Sequence, residues 1–144
     1  RQEVPQLRTE ATDENLCSRG AYIIRQFGEK RDLTLLSTGT EVALAVEAAE
    51  ALHAQGVDVT VVSMPCWDLF EQQSEEYRAK VLGLAPRIAV EAAGKFGWTR
   101  YVANEADVIG MNGFGASAPA DVLYQKFNIT REAIIARAEV LLGN

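Results

Sequence analysis

The sequence has little that would mark a nucleic-acid binder or a membrane protein. It carries 14 Lys and Arg against 20 Asp and Glu, a formal net charge of −6, whereas binders of nucleic acids and anionic membranes present basic surfaces. No apolar run reaches the roughly 20 residues of a membrane span, and the first residues lack the apolar region of a signal peptide. We therefore expect no nucleic-acid partner, no membrane partner and a cytoplasmic location.

Cysteine and histidine are also scarce. Cys17 and Cys66 lie far apart in the sequence, and His53 is the single histidine. Without a Cys-x-x-Cys pair or a Cys/His cluster, no metal site is predicted, and both cysteines are expected to be reduced thiols. His53 falls at the edge of the apolar stripe of its helix and is interpreted as a structural boundary residue. No nucleophile-elbow, P-loop or H-E-x-x-H motif occurs, so no catalytic residue is predicted.

Residues 33–56 form the stretch around which the chain is organised. An apolar run of strand length, Leu33 to Ser37, is followed by a break and then by apolar residues at helical spacing up to Gly56. A second apolar run, Val57 to Ser63, follows at once, which predicts two parallel strands joined by a helical crossover. Further strands are predicted at 21–25, 87–92 and 107–111, and helices at 74–83, 96–103, 120–127 and from 130 onward. The pattern predicts an α/β fold, a doubly wound sheet of about five strands with helices on both faces.

The first residues differ from this pattern. Residues 1–19 are mostly polar, contain Pro5 and show no periodicity, which is typical of an irregular arm or linker. Residues 20–144 are predicted to form one domain. Because the sequence begins with Arg1 rather than Met, we expect it to be a piece of a longer protein.

The turn Thr38-Gly39-Thr40 is a candidate anion site. It follows a strand and precedes a helix, the position at which α/β sheets often bind phosphate. However, Thr38 and Glu41 have the T-x-x-E spacing of a capping box, in which each side chain binds a backbone N–H at the helix start. Glu41 would then occupy the anion position from within the chain. The structural cap is the favoured interpretation, and the anion site is the alternative.

Two other features have functional interpretations that we consider weaker. Residues 113–118 match G-x-G-x-x-A, a pattern found in dinucleotide-binding turns. Phe114 is bulky, Pro119 starts a helix at once, and no second strand follows to carry a ribose-binding acid. Glu91 ends a strand and could face a crevice, but a single carboxylate at this position is usually a structural hydrogen-bond acceptor.

Several runs, taken together and in order, resemble the C-terminal domain of transketolase. They cover nearly the whole chain and are STGTEV at 37–42, VVSMP at 61–65, EYR at 76–78, AVEA at 89–92 and FGASAP at 114–119. The resemblance implies a mixed, mostly parallel five-stranded sheet in a three-layer α/β/α arrangement, with the first strand antiparallel to the rest.

The resemblance also implies a function. Transketolases transfer a two-carbon ketol unit between sugar phosphates in the pentose phosphate pathway, using thiamine diphosphate and Mg²⁺ or Ca²⁺. In the family, the cofactor and the catalytic residues belong to two upstream domains of a homodimer. We therefore expect this chain to bind no cofactor, to be inactive alone and to serve assembly with those domains. In the family a Ser-Arg-Gln link binds the substrate phosphate through its arginine. Arg1-Gln2 resembles the end of this motif, so Arg1 is expected to bind sugar phosphate in the full-length enzyme only.

Two alternatives stay open at this point. One is a regulatory module that binds a nucleotide or phosphate at residues 38–41 or 113–118. The other is the equivalent domain of a related thiamine diphosphate enzyme, such as deoxyxylulose-phosphate synthase or the β subunit of a 2-oxoacid dehydrogenase.

Overall fold

The computed structural model describes residues 3–113 and 115–143. Within these residues, five strands and five α-helices follow one another along the chain. Short 3₁₀ turns lie at Leu16–Arg19, Trp98–Arg100 and Glu105–Asp107. The regular elements are β1 (Tyr22–Phe27), β2 (Leu33–Ser37), α1 (Glu41–Ala54), β3 (Val59–Ser63), α2 (Trp67–Glu71), α3 (Glu75–Leu82), β4 (Arg87–Gly94), β5 (Val108–Met111), α4 (Ala120–Lys126) and α5 (Arg131–Leu142).

The strands form one mixed sheet in the order β1-β3-β2-β4-β5. Strand β1 is antiparallel to β3, and the other neighbouring pairs are parallel. Strands β2 and β3 run in register from Leu33 opposite Val59 to Ser37 opposite Ser63. The mixed, mostly parallel five-stranded sheet and its antiparallel first strand are thus confirmed.

Helices cover both faces of the sheet and make it the middle of three layers. Successive residues of β2 point to opposite sides: Leu35 packs with α1 and α5, and Leu36 packs with α2 and α3. All five residues of β2, and all five of β3, are buried, as expected for parallel strands with both faces covered. This explains why their sequence is a continuous apolar run, broken only by hydroxyl residues, and not an alternating one. The three-layer α/β/α fold is confirmed.

Two helix starts agree with the sequence prediction, and two other segments do not. The Ser74 hydroxyl accepts a hydrogen bond from the Tyr77 N–H, and the Thr130 hydroxyl accepts one from the Ala133 N–H, as N-cap residues do. Residues 66–73, where the sequence predicts neither a helix nor a strand, contain the short helix α2. The helix predicted at residues 96–103 is only a 3₁₀ turn, because Gly97, at φ 89°, breaks the right-handed helical path.

The arm has no regular structure before Leu16. It is nevertheless held against the domain, because Leu7 packs on the core cluster to which α1 contributes and Thr9 accepts a hydrogen bond from Arg25 on β1. The boundary between arm and domain stays a prediction. In the described part of the chain, no helix has the length and apolar character needed to cross a membrane.

Candidate functional site

The topology of the sheet singles out the carboxyl ends of β2 and β4. From β2 the chain passes through α1 on one face of the sheet to reach β3, on one side of β2. From β4 it passes through Trp98 and Tyr101 on the opposite face to reach β5, on the other side. Because the connections that follow these two neighbouring strands diverge, a crevice opens between the carboxyl ends of β2 and β4. Doubly wound sheets bind their ligands at such a switch point.

A cavity of about 270 Å³ lies at this crevice. We call it the switch-point cavity. The start of α1 contributes Thr40 and Glu41, and α4 contributes Leu123 and Tyr124. Most of the remaining wall is apolar, with Ala92, Met111, Phe127 and Ile129 among its side chains. The cavity therefore combines an apolar wall with a small number of polar groups, as ligand sites do.

Glu41 is the charged residue of the switch-point cavity. It is only 6% exposed, and its Oε1 accepts hydrogen bonds from the Thr40 hydroxyl at 2.8 Å and the Tyr124 hydroxyl at 2.6 Å. The ion pairs formed among the described residues do not include Glu41. Its buried carboxylate is thus hydrogen-bonded by neutral groups and is not balanced by a cation.

The predicted capping box is wrong. Helix α1 begins after Thr40 rather than after Thr38, and no side chain makes a capping hydrogen bond at its start. The carboxylate of Glu41 points to Tyr124, which is 83 residues away in sequence, and does not turn back to Thr38. Glu41 therefore makes a hydrogen bond to a distant helix, and not the local hydrogen bond that a capping box requires.

Glu91 lies near Glu41 at the end of β4. Its half-buried position raises the pKa of the Glu91 carboxyl, the nearby Glu41 raises it further, and a hydrogen bond from Trp98 lowers it in part. Both effects that raise the pKa disfavour the ionised form. Glu41 and Glu91 therefore lie close enough for their carboxyl groups to repel each other when both are ionised.

We expect Glu91→Gln to raise the stability of the chain modestly at neutral pH. Because the folded-state pKa lies above the unfolded value, the contribution of Glu91 to stability is fully present below about pH 4.3. It is lost as pH rises through the folded-state pKa. In urea unfolding, the variant should therefore exceed the wild type at pH 7, and the difference should shrink toward pH 4.

The exposed Glu50 of α1 provides the control. Glu50→Gln should match the wild type within about 0.5 kcal/mol. A Glu91→Gln chain that is less stable than the wild type at pH 7 would show that the ionised carboxylate supports the fold.

The other predicted site residues lie apart from the cavity or outside the described residues. His53 is at the opposite end of α1, half exposed, with Nδ1 3.3 Å from Asp58 Oδ1, consistent with a boundary residue. Cys17 and Cys66 are free thiols. Arg1 lies outside the described residues, so its role stays a prediction. The anion site at Thr38, Gly39 and Thr40 also stays a prediction, although Thr40 lines the cavity.

No distinctive sequence pattern marks the residues at the end of α4 and just after it that close the cavity. Tyr124 and Phe127 are three positions apart, so they share a helix face, but this spacing is equally typical of an ordinary core. The G-x-G-x-x-A match gave a partial signal, because Gly115 and Ala116 line the cavity. Phe114 of that match lies outside the described residues.

Comparisons of the sequence and of the structure with known proteins point to the same family. Residues 20–130 match the family model described as the transketolase-like TK C-terminal domain. The transketolase of Sinorhizobium medicae is 52% identical over 143 residues, which are 99% of this chain and 21% of that protein. A solved transketolase from Pichia stipitis is 36% identical, with a TM-score of 0.85, and the match covers 99% of this chain and 20% of that one.

A more distant structure shares the fold. A split gene transketolase is 20% identical, with a TM-score of 0.69, and the match covers 97% of this chain and 47% of that chain. The chain spans about a fifth of the length of the curated relatives that it matches. These matches agree with the sequence runs and with the order and direction of the strands. The chain therefore belongs to the transketolase family and corresponds to the C-terminal domain of its members.

Proposed function

We propose that this chain is the C-terminal part of a transketolase that transfers a two-carbon ketol unit from a ketose phosphate to an aldose phosphate in the pentose phosphate pathway. The observation that carries the proposal is the 52% identity to a transketolase over 99% of the chain. The transketolase from Pichia stipitis, solved in complex with sedoheptulose 7-phosphate, supports a phosphorylated sugar as substrate. The proposal includes a cytoplasmic location.

Thiamine diphosphate would bring a divalent metal, whose usual ligands are carboxylates and other oxygen donors. Among residues 3–113 and 115–143, no group of three or more His, Cys, Asp or Glu side chains could hold a metal ion. As the family resemblance implies, we propose that thiamine diphosphate and Mg²⁺ or Ca²⁺ bind in the upstream domains of the full-length enzyme. The role proposed for this chain is assembly with those domains into a homodimer.

Arg1 is the residue that we propose to contact substrate. A guanidinium group can donate two parallel, charge-assisted hydrogen bonds to phosphate oxygens, which suits a sugar phosphate. The contact would require the neighbouring domains, which hold the cofactor and the catalytic residues in the family. Arg1 would then affect substrate affinity and leave the stability of the chain unchanged.

A ketol-transfer assay with thiamine diphosphate and Mg²⁺ tests this proposal. We expect no activity from the chain alone and activity after mixing with a protein that carries the two upstream domains. In the mixture, Arg1→Ala should weaken the apparent affinity for phosphorylated sugars, whereas Arg8→Ala, on the exposed part of the arm, should not.

Three results would contradict the proposal. Activity in the chain alone would place the chemistry in this domain. A mixture as inactive as its parts, although the two proteins bind each other, would refute the assembly role. An unchanged affinity in the Arg1→Ala mixture would refute the phosphate contact.

A further inference from the structure

The switch-point cavity has no function in the proposal above. Its charge pattern is unusual, because Glu41 is 94% buried and its carboxylate is hydrogen-bonded only by hydroxyl groups among the contacts described. A buried charge is costly unless it is paired. The two hydroxyls lower that cost through hydrogen bonds and leave the negative charge in place. The site is therefore complementary to a positive charge.

We propose that the switch-point cavity binds a small organic cation, an ammonium group on a short apolar body, with Glu41 as its counter-charge. The inference rests on the cavity and its buried carboxylate, and it does not depend on ketol transfer.

The size and wall of the cavity define the apolar part of the ligand. At about 270 Å³, the cavity has room for roughly nine water-sized groups. Met111, Phe127 and Ile129 offer apolar surface to the body of the ligand, while Thr40 and Glu41 lie on the polar side. A primary amine attached to one small ring or a short chain fits this cavity, because the amine would lie on the polar side and the ring or chain against the apolar wall.

Electrostatics favour a cation over the anion considered for the same turn. A phosphate beside Thr40 would lie close to the Glu41 carboxylate, and Glu91 adds negative charge from β4 when ionised. Like charges that share a poorly solvated site repel strongly. The N–H groups at the start of α1 are too weak a positive partner to balance a carboxylate and a phosphate together.

Three molecules of the same shape and different charge test the proposal. Benzylamine is a cation, benzyl alcohol is neutral, and benzoate is an anion; inorganic phosphate is the fourth probe. Binding to the chain is followed by NMR chemical-shift titration. We expect saturable benzylamine binding, at least tenfold weaker binding of benzyl alcohol, and no binding of benzoate or phosphate at the same site.

Two variants on one helix identify the counter-charge. Glu41→Gln keeps the shape and removes the charge, and should weaken benzylamine binding at least tenfold. Glu50→Gln removes an exposed charge from α1 and should leave the binding unchanged. Equal binding of benzylamine to both variants would overturn the proposal, as would a preference of the wild type for benzoate or phosphate.

A measurement on the wild type alone covers the case in which Glu41→Gln does not fold. Bound benzylamine should give intermolecular NOEs between its ring protons and the Met111 methyl group, since Met111 lines the cavity. Absence of these NOEs under saturating benzylamine would place the amine elsewhere and overturn the proposal.

Discussion

Replacing Gly20 by alanine is expected to destabilise the chain by roughly 3 kcal/mol or more, the sum of backbone strain and a steric clash. Gly20 has φ +80°, a conformation that disfavours a side chain. A Cβ at this position would also collide with the Cys66 carbonyl oxygen and the Phe70 backbone nitrogen of α2. These atoms are backbone and cannot rotate away, so either β1 or α2 must shift. Urea unfolding measures the loss.

Gly56→Ala separates the two contributions. Gly56 has φ +90°, but a Cβ there would meet no atom within 4 Å. This variant should therefore show the conformational cost alone, about 1 to 2 kcal/mol. If the two variants are equally destabilised, the contact between Gly20 and α2 does not restrain the packing as described.

Replacing Arg137 by methionine is expected to cost roughly 3 kcal/mol, because it leaves a buried charge without its partner. Arg137 Nε and Nη2 lie 2.8 and 2.7 Å from Asp107 Oδ1. The Asp107 side chain is 2% exposed, and that of Arg137 is 24% exposed. Methionine keeps the apolar stem of the arginine, so the measured loss in urea unfolding reports mainly on the pair.

The same helix offers a matched exposed pair. Arg131 Nε and Nη2 approach Glu132 Oε1 at 3.2 and 3.0 Å, but these side chains are 50% and 71% exposed. Arg131→Met should therefore cost less than about 1 kcal/mol. Adding Asp107→Asn to Arg137→Met should recover part of the stability, since it removes the unpaired charge. Equal losses in the two arginine variants would mean that burial does not strengthen the pair.

The sequence predicts the elements whose formation depends on local patterns. The limits of β2, Leu33 to Ser37, follow directly from a continuous apolar run, and Ser74 and Thr130 mark helix starts because a cap needs only its own N–H partners. The apolar run predicts the start of β3 at Val57, two residues before the observed start at Val59. Val57 donates its N–H to Leu52 at the end of α1, so the ladder begins only at Val59.

The candidate site is less predictable because its geometry depends on distant contacts. The turn after β2 was identified from strand and helix signals, and Thr40 does line the cavity. The orientation of Glu41, however, is set by Tyr124 on α4. No local pattern links those two positions, so the sequence favoured the capping box. The order of the strands, which creates the crevice, likewise emerges only from the assembled sheet.

The reversed direction of β1 determines at which end of the strands the arm meets the domain. Because β1 is antiparallel, Tyr22 lies beside Ser63 at the carboxyl ends of the parallel strands, and Glu3 to Pro5 run beside Thr40 and Tyr124. If β1 were parallel, it would begin at the amino ends of the other strands, about 16 Å away along a strand of five residues. At the end of α5, Leu142 lies beside Leu52 and Val57, near the amino ends of the parallel strands. A fluorophore or affinity tag placed ahead of Glu3 would therefore crowd the cavity, whereas one placed after Leu142 would leave it open to added probes.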